Sequence, residues 1–299
     1  MERTSFSDEI VKNKRLSIGL AVVVSVFLFF LIFFIVYFLI PELVVIALPV
    51  SLIFILIYTY SSYRYGDKVV LSTTGAKEAD PVAHRYLLDT VEGLSIASGI
   101  PIPKTYVIEN DDLNAFATGR NPQNASIAVT TGLISTLSRQ ELEGVIAHEI
   151  SHIKNRDILF MTLVAVLVGL AAIVSHLILR SMWLGGGRNR RDKGGGLIVI
   201  VFVVGLLLAI FAPIATRLVQ FAVSRKREYL ADASGVNVTR YPEGLASALE
   251  KIAEKNQGKI KVSDAVSHLF FVDPQKSSLD SLFATHPPIR ERIKKLRQM

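Results

Sequence analysis

The chain has 299 residues and a mass of 33.0 kDa, with 51% hydrophobic residues, a mean hydropathy of +0.42 and a formal charge of +7. That is more apolar side chain than a soluble domain of this size needs for its core, which argues against a purely cytosolic globule. Cysteine is absent, which removes disulfide frameworks, thiolate-ligated zinc and cysteine nucleophiles, and the basic residues gather beside apolar tracts rather than in a nucleic-acid recognition module.

Four long uncharged tracts stand out: Leu16 to Pro41, Leu43 to Tyr63, Ile158 to Leu179 and Gly194 to Thr216. Each approaches or exceeds the roughly 20 residues that cross a bilayer as helix. The first is too long for a cleavable signal core of about 7 to 15 residues. A second tract follows after only Pro41 and Glu42, so residues 16–63 read as an uncleaved hairpin with a tight turn. Arg3, Lys12, Lys14 and Arg15 precede it while its turn carries no Lys or Arg, which places residues 1–15 and the chain after Tyr63 on the cytoplasmic side of a cell membrane. The second pair is less regular. Its loop holds Arg180, Arg188, Arg190, Arg191 and Lys193 on the side that alternation would make external. Either the earlier signals dominate and the loop is translocated, or the hairpin of residues 158–220 is only partly embedded; full crossing is the working expectation.

Residues 64–157 and 221–299 then form two segments of one domain. A helix is expected from Asp80 and Pro81, with the proline in its first turn, to about Ser98. Short strands are expected near Lys104 to Glu109, Ala115 to Thr118 and Ala125 to Thr130. The fold class is therefore mostly α with a small β component, a four-span helical membrane anchor joined to an α+β domain.

Ser138 followed by Glu141 has the form of a capping box, in which each side chain satisfies an unpaired amide at a helix start. The helix runs through Leu142, Val145, Ile146, Ile150 and Ile153 and carries His148, Glu149 and His152 as His-Glu-x-x-His. Histidines four apart lie on one helix face, so two imidazoles can converge on one zinc ion. Glu149 is then held beside the metal, where it can take a proton from zinc-bound water and pass it to a leaving amine.

A catalytic zinc needs a third protein ligand, and no histidine follows within Ile153 to Ser175. Arg225 to Gly235 reads as a helix ending at Gly235, with Glu228 and Asp232 one turn apart. Such a pair is often a solvated face. Here both helices abut the same apolar hairpin, so an even number of crossings returns Glu228 to the side and depth of His148 and His152. Glu228 can then bind zinc while Asp232 accepts a hydrogen bond from a ligand histidine.

Together, His148 to His152, Glu228 to Asp232, Asn114 to Gly119 and Thr285-His286-Pro287-Pro288 resemble the HtpX-like membrane zinc metalloproteases, relatives of the isoprenyl-protein (CAAX) endopeptidases. The resemblance covers nearly the whole chain. It implies a zincin-like (gluzincin) domain with one zinc ion per subunit, held by His148, His152 and Glu228, with Glu149 as base and Asp232 behind a ligand. It also implies that Asn114, Ala115, Phe116 and Ala117 form an edge strand holding extended substrate, that His286 hydrogen-bonds the oxyanion, and that Arg290 supports it as a cation. From the residues alone, Asn114 reads as a turn residue and His286 as a cap before a C-terminal helix. His84, His176 and His268 read as structural.

The leading functional expectation is an endopeptidase in the cell membrane, acting on misfolded or damaged membrane proteins as a stress-response, quality-control enzyme. Its partners would be unfolded polypeptide and the bilayer, not nucleic acid, with homo-oligomerisation left open. Processing of lipid-modified peptides and a non-catalytic, zinc-stapled scaffold are the alternatives. Lys154, Asn155, Arg156 and Asp157 place the histidine pair outside the hydrocarbon, which disfavours intramembrane cleavage.

Overall fold

The computed structural model describes residues 6–39, 41–166, 205, 225–256, 264–272 and 287–299. Two long helices open the chain, α1 (Phe6–Leu39) and α2 (Val44–Thr73), joined by a single 3-10 turn at Pro41–Leu43. Leu20, Val24 and Leu28 recur every four residues on α1 and are buried with Ile55 of α2, while Val45, Ile46, Val50, Ile53 and Phe54 face outward. Exposed apolar surface of this extent is what a bilayer covers. Among the described residues, α2 is long and apolar enough to cross a membrane, and α1 carries a further apolar stretch over Arg15–Phe30. The Ile158 to Leu179 and Gly194 to Thr216 tracts lie outside the described residues, apart from residues 158–166 and Gly205.

The expected boundary at Tyr63 is not a helix end, because α2 continues to Thr73. Between Arg64 and Thr73 there is no proline, and the single glycine, Gly66, is tolerated within the helix. The stop comes at Gly75, in the left-handed region at φ 70°, where the Ala76 N–H reaches back to the Leu71 carbonyl at 3.0 Å. The next helix also departs from expectation: α3 spans Arg85–Ser98 and does not start at Asp80. The Asp80 carboxylate accepts from Val82 N–H at 2.9 Å and Ala83 N–H at 2.7 Å, which holds Pro81 to His84 as a separate turn.

Four strands follow in the spatial order β1-β2-β4-β3: β1 (Lys77–Glu78), β2 (Lys104–Ile108), β3 (Ala115–Asn121) and β4 (Asn124–Thr130). β2 and β4 are parallel, and β3 pairs antiparallel with β4, so β3 is an edge strand. The alternation of strand side chains divides the sheet's faces. Ala115, Ala117, Ile127 and Val129 enter the domain core, whereas Phe116 and Ala128 join Val70 and Leu71 of α2 and Phe160 beyond the sheet.

After α4 (Thr131–Thr136), α5 (Arg139–Lys154) runs through the middle of the domain. Glu141 accepts from Ser138 N–H at 2.7 Å, as the capping box requires, and from Lys251 at 2.8 Å. Helix α6 is described over Asp157–Val166; α7 (Arg225–Thr239), α8 (Pro242–Lys255), α9 (Asp264–Ser267) and α10 (Ile289–Leu296) complete the described chain.

Two glycines let helices approach α5. Contrary to the sequence reading, Gly235 does not end α7. The helix runs on to Thr239, and Gly235 is where its backbone meets α5, since a Cβ there would lie 3.1 Å from the His148 nitrogen. At Gly144 a Cβ would lie 2.8 Å from the backbone nitrogen of Leu245 in α8. Gly144→Ala is expected to destabilise the fold by about 1–3 kcal/mol through this overlap. Gly93→Ala, at an exposed site with nothing within 4 Å, should stabilise by up to about 1 kcal/mol through helix propensity. Thermal unfolding in detergent orders the two variants around the parent; the reverse order would contradict the packing described.

Candidate active site

α5 and α7 bring three side chains to one point. The Nε2 atoms of His148 and His152 are 3.1 Å apart, and the Glu228 carboxylate oxygens lie 3.9 Å from the first and 3.5 Å from the second. All three residues are buried. Ligands about 2.0 to 2.1 Å from a tetrahedral zinc are roughly 3.3 Å from one another, so the spacing suits such an ion without rearrangement of the backbone.

The outer imidazole nitrogens support the same assignment. His148 Nδ1 is 2.8 Å from Asp232 Oδ1, and His152 Nδ1 is 3.0 Å from Asp157 Oδ2. A proton on each Nδ1, donated to a carboxylate, leaves each Nε2 lone pair free for a metal. Asp232 thus occupies the place expected for it. Asp157 is a partner that sequence reading used only as a polar marker at the membrane end of α5.

Asp232 is itself gripped by Arg292, whose Nε and Nη2 donate to its two oxygens at 2.9 and 2.7 Å. Arg292 is 1% exposed, and its Nη1 lies 3.5 Å from Glu228. The sequence reading chose Arg290 as the cation. The structure leaves Arg290 exposed, beside Glu250, Ala253 and Lys294, and turns Arg292 inward. The signal for Arg292 was present: Ile289, Arg292, Ile293 and Leu296 fall on one helical face, and an arginine within an apolar stripe needs a buried partner. His286 lies outside the described residues, as does His176. His268 is buried, with Nε2 3.1 Å from the Met161 carbonyl, in keeping with a structural role.

Glu149 is buried beside the triad and is not part of it. The Ala117 backbone N–H lies near enough to its carboxylate to lower the pKa a little, so the β3 edge does meet the site. Burial, reinforced by the Glu228 carboxylate, pushes its pKa up to about 7. Burial, with the charges of Arg292 and His152, holds His148 down at about 4 despite the Asp232 hydrogen bond. Burial works against charge on His152 as well, but Asp157 and Glu228 overcome it and raise that imidazole to about 9. Asp232 is also desolvated, and Arg292 and His148 hold it below the usual carboxylate range. Asn114 and Ala115 of the expected substrate rim are engaged by Val272 and Phe271, and Phe116 faces away into the cluster with Phe270.

Two imidazoles and a carboxylate around one point, with an unligated glutamate alongside, define a metal-dependent hydrolytic centre. The model of Peptidase family M48 matches residues 81–299, and the chain belongs to that family. A protease HtpX homolog from Caldanaerobacter subterraneus is 49% identical over 248 residues, 83% of each chain. Another, from Dictyoglomus thermophilum, is 44% identical over 299 residues, 100% of this chain and 96% of its own. The crystal structure of S. mikatae Ste24p shares the fold with a TM-score of 0.52 at 19% identity, covering 97% of this chain and 67% of that one. The protein is a membrane metalloprotease.

Arg292→Lys keeps the charge but loses the two-pronged grip on Asp232, and should weaken zinc binding about 10- to 100-fold. Arg290→Lys should leave zinc binding at the parent value; equal effects in a competitive chelator titration would reject the assignment. The protonation pattern is testable separately. His152 is charged below about 9, and only neutral imidazole ligates, so zinc must displace about one proton near pH 8. Affinity should fall about tenfold for each pH unit below that value. Calorimetry in buffers of different ionisation heat counts the protons, and a count of zero would be incompatible with a charged His152.

Proposed function

We propose that the protein is a zinc endopeptidase integrated in the cell membrane, with its catalytic domain on the cytoplasmic side, that cleaves exposed segments of misfolded or damaged membrane proteins. The observation that carries the chemistry is Glu149, a buried carboxylate beside the metal-holding triad and outside it, pushed up to about 7. A group with that pKa can both accept and release a proton at neutral pH, as one shuttling it from water to a leaving amine must.

When bound by His148, His152 and Glu228, zinc supplies a Lewis acid that lowers the pKa of water to about 7 and polarises a peptide carbonyl. The protein's own groups do the remainder. Glu149 takes the proton on its carboxylate and delivers it to the nitrogen of the broken bond. Asp232 and Asp157 keep the imidazoles turned toward the centre, and Arg292 keeps Asp232 ionised.

The cytoplasmic side is supported by Arg3, Lys12, Lys14 and Arg15 ahead of a hairpin whose turn has no basic residue. Unfolded or membrane-protein substrates are supported by the attachment of the domain to α2, which keeps the site near the lipid surface. Inverted membrane vesicles, with the cytoplasmic face outward, should cleave added casein, and right-side-out vesicles should not. Glu149→Gln should lower that cleavage about 100- to 10,000-fold with zinc retained. Undiminished cleavage by the variant would end the catalytic reading, and cleavage by right-side-out vesicles alone would reverse the orientation.

A further inference from the structure

The geometry points to a built-in occupant of the substrate groove: Phe271 and Val272 lie on the β3 edge where an extended polypeptide would add, and must leave before one can be cut. The inference rests on the proteolytic reading above and concerns the regulation of that site.

Of the two edge strands among the described residues, β1 and β3, it is β3 that a polypeptide presented to this metal centre would pair with. Asn114 faces β4, since its carbonyl accepts the Thr130 N–H at 3.0 Å, so alternation turns Ala115, Ala117 and Gly119 to the open side. The Ala117 N–H is near enough to Glu149 to lower its pKa slightly, which marks this edge as the one beside the reacting groups. At Gly119 the edge is closed by α6, the N–H meeting Thr162 Oγ1 at 3.2 Å. At Ala115 it is closed by the chain itself, because the carbonyl accepts the Phe271 N–H at 2.7 Å.

The Asn114 amide completes the pairing. Its Nδ2 donates to the Val272 carbonyl at 2.7 Å, and its Oδ1 accepts the Val272 N–H at 3.1 Å. Oδ1 also accepts the Ala115 N–H at 3.1 Å, so both of its lone pairs are used while Val272 is present. The side chains alternate as those of a bound strand would. Phe270 packs on Phe116 at 5.0 Å between ring centroids, on the side toward α2. Phe271 packs on the other side, its ring 4.9 Å from that of His148 and 4.7 Å from the Arg292 guanidinium carbon. Pairing that rests on one main-chain bond and the two to the Asn114 amide, and forms no regular strand, is a contact that a longer polypeptide can replace with more main-chain hydrogen bonds.

An occupant present in about nine molecules of ten raises the apparent KM about tenfold and leaves kcat unchanged. The zinc-loaded, full-length protein is therefore assayed with a quenched fluorescent peptide, as parent, as Phe271→Ala and as Val272→Pro, which lacks the N–H given to Asn114. Both variants should show a KM lowered several-fold, up to about tenfold, at similar kcat. A fixed wall of the cleft would give the opposite sign, with kcat/KM falling. Hydrogen exchange supplies a second readout that survives a variant failing to fold. The Phe271 and Val272 amides of the parent should be protected alone and should exchange freely once a hydroxamate-capped tripeptide is bound. Protection retained with the tripeptide bound, or a lowered kcat/KM in folded variants, overturns the proposal. Exchange that rises in a zinc-loaded parent unable to cleave any peptide would instead support the occupant and discard the proteolytic reading.

Discussion

Asp232 stands at the centre of the fold and of the site, because it joins two contacts that neither helix could make alone. One of its oxygens meets His148 on α5, and both are held by Arg292 from α10, so three elements distant in sequence close on one carboxylate. Taking such groups out of water costs several kcal/mol per ion unless each finds a partner. The partners are found in series: Arg292 with Asp232 and Glu228, His148 with Asp232, His152 with Asp157. Four buried carboxylates, Glu149, Glu228, Asp232 and Asp157, surround one guanidinium and two imidazoles, an excess of negative charge that draws a divalent cation.

The parts of the site that sequence revealed are those with a local signature. His148, Glu149 and His152 announce themselves through the four-residue spacing of one helix, and Ser138 with Glu141 marks where that helix starts. Glu228 required a longer inference, through the parity of chain crossings, and the two helices do meet. Asp157 and Arg292 were missed for different reasons: Asp157 reaches His152 from five residues on, past the end of α5, outside the helical spacings of three and four, whereas the partner of Arg292 is set by tertiary approach. Arg290 and Arg292 are two residues apart, and choosing between them needed the apolar stripe to be read as a face. Gly235 misled because a glycine near a helix end and a glycine under a crossing helix look alike in sequence. The strands were legible from their β-branched and apolar pattern, except β1, whose two residues are too short to carry a pattern.

The sheet has a double use in this architecture. Its inner face, with Ala115, Ala117, Ile127 and Val129, completes the core under α5 and so fixes the depth of the histidines. Its other face, with Phe116 and Ala128, is packed by side chains that also belong to the hairpin helices. The Thr118 and Thr162 hydroxyls lie 2.9 Å apart and tie β3 to the first turns of α6. The edge strand is therefore positioned from the catalytic side and from the anchoring side together.

Helix α2 runs unbroken for 30 residues, about 45 Å at 1.5 Å per residue, against a hydrocarbon layer of about 30 Å. Its final turns bury Val70 and Leu71 against the sheet, so there is no hinge at the point where the helix leaves the lipid. The enzyme in effect carries its blade at a set height. For the membrane-protein substrates proposed above, the slack would have to come from the substrate, and the bonds within reach would be decided by how much unstructured chain it extends above its own last transmembrane turn.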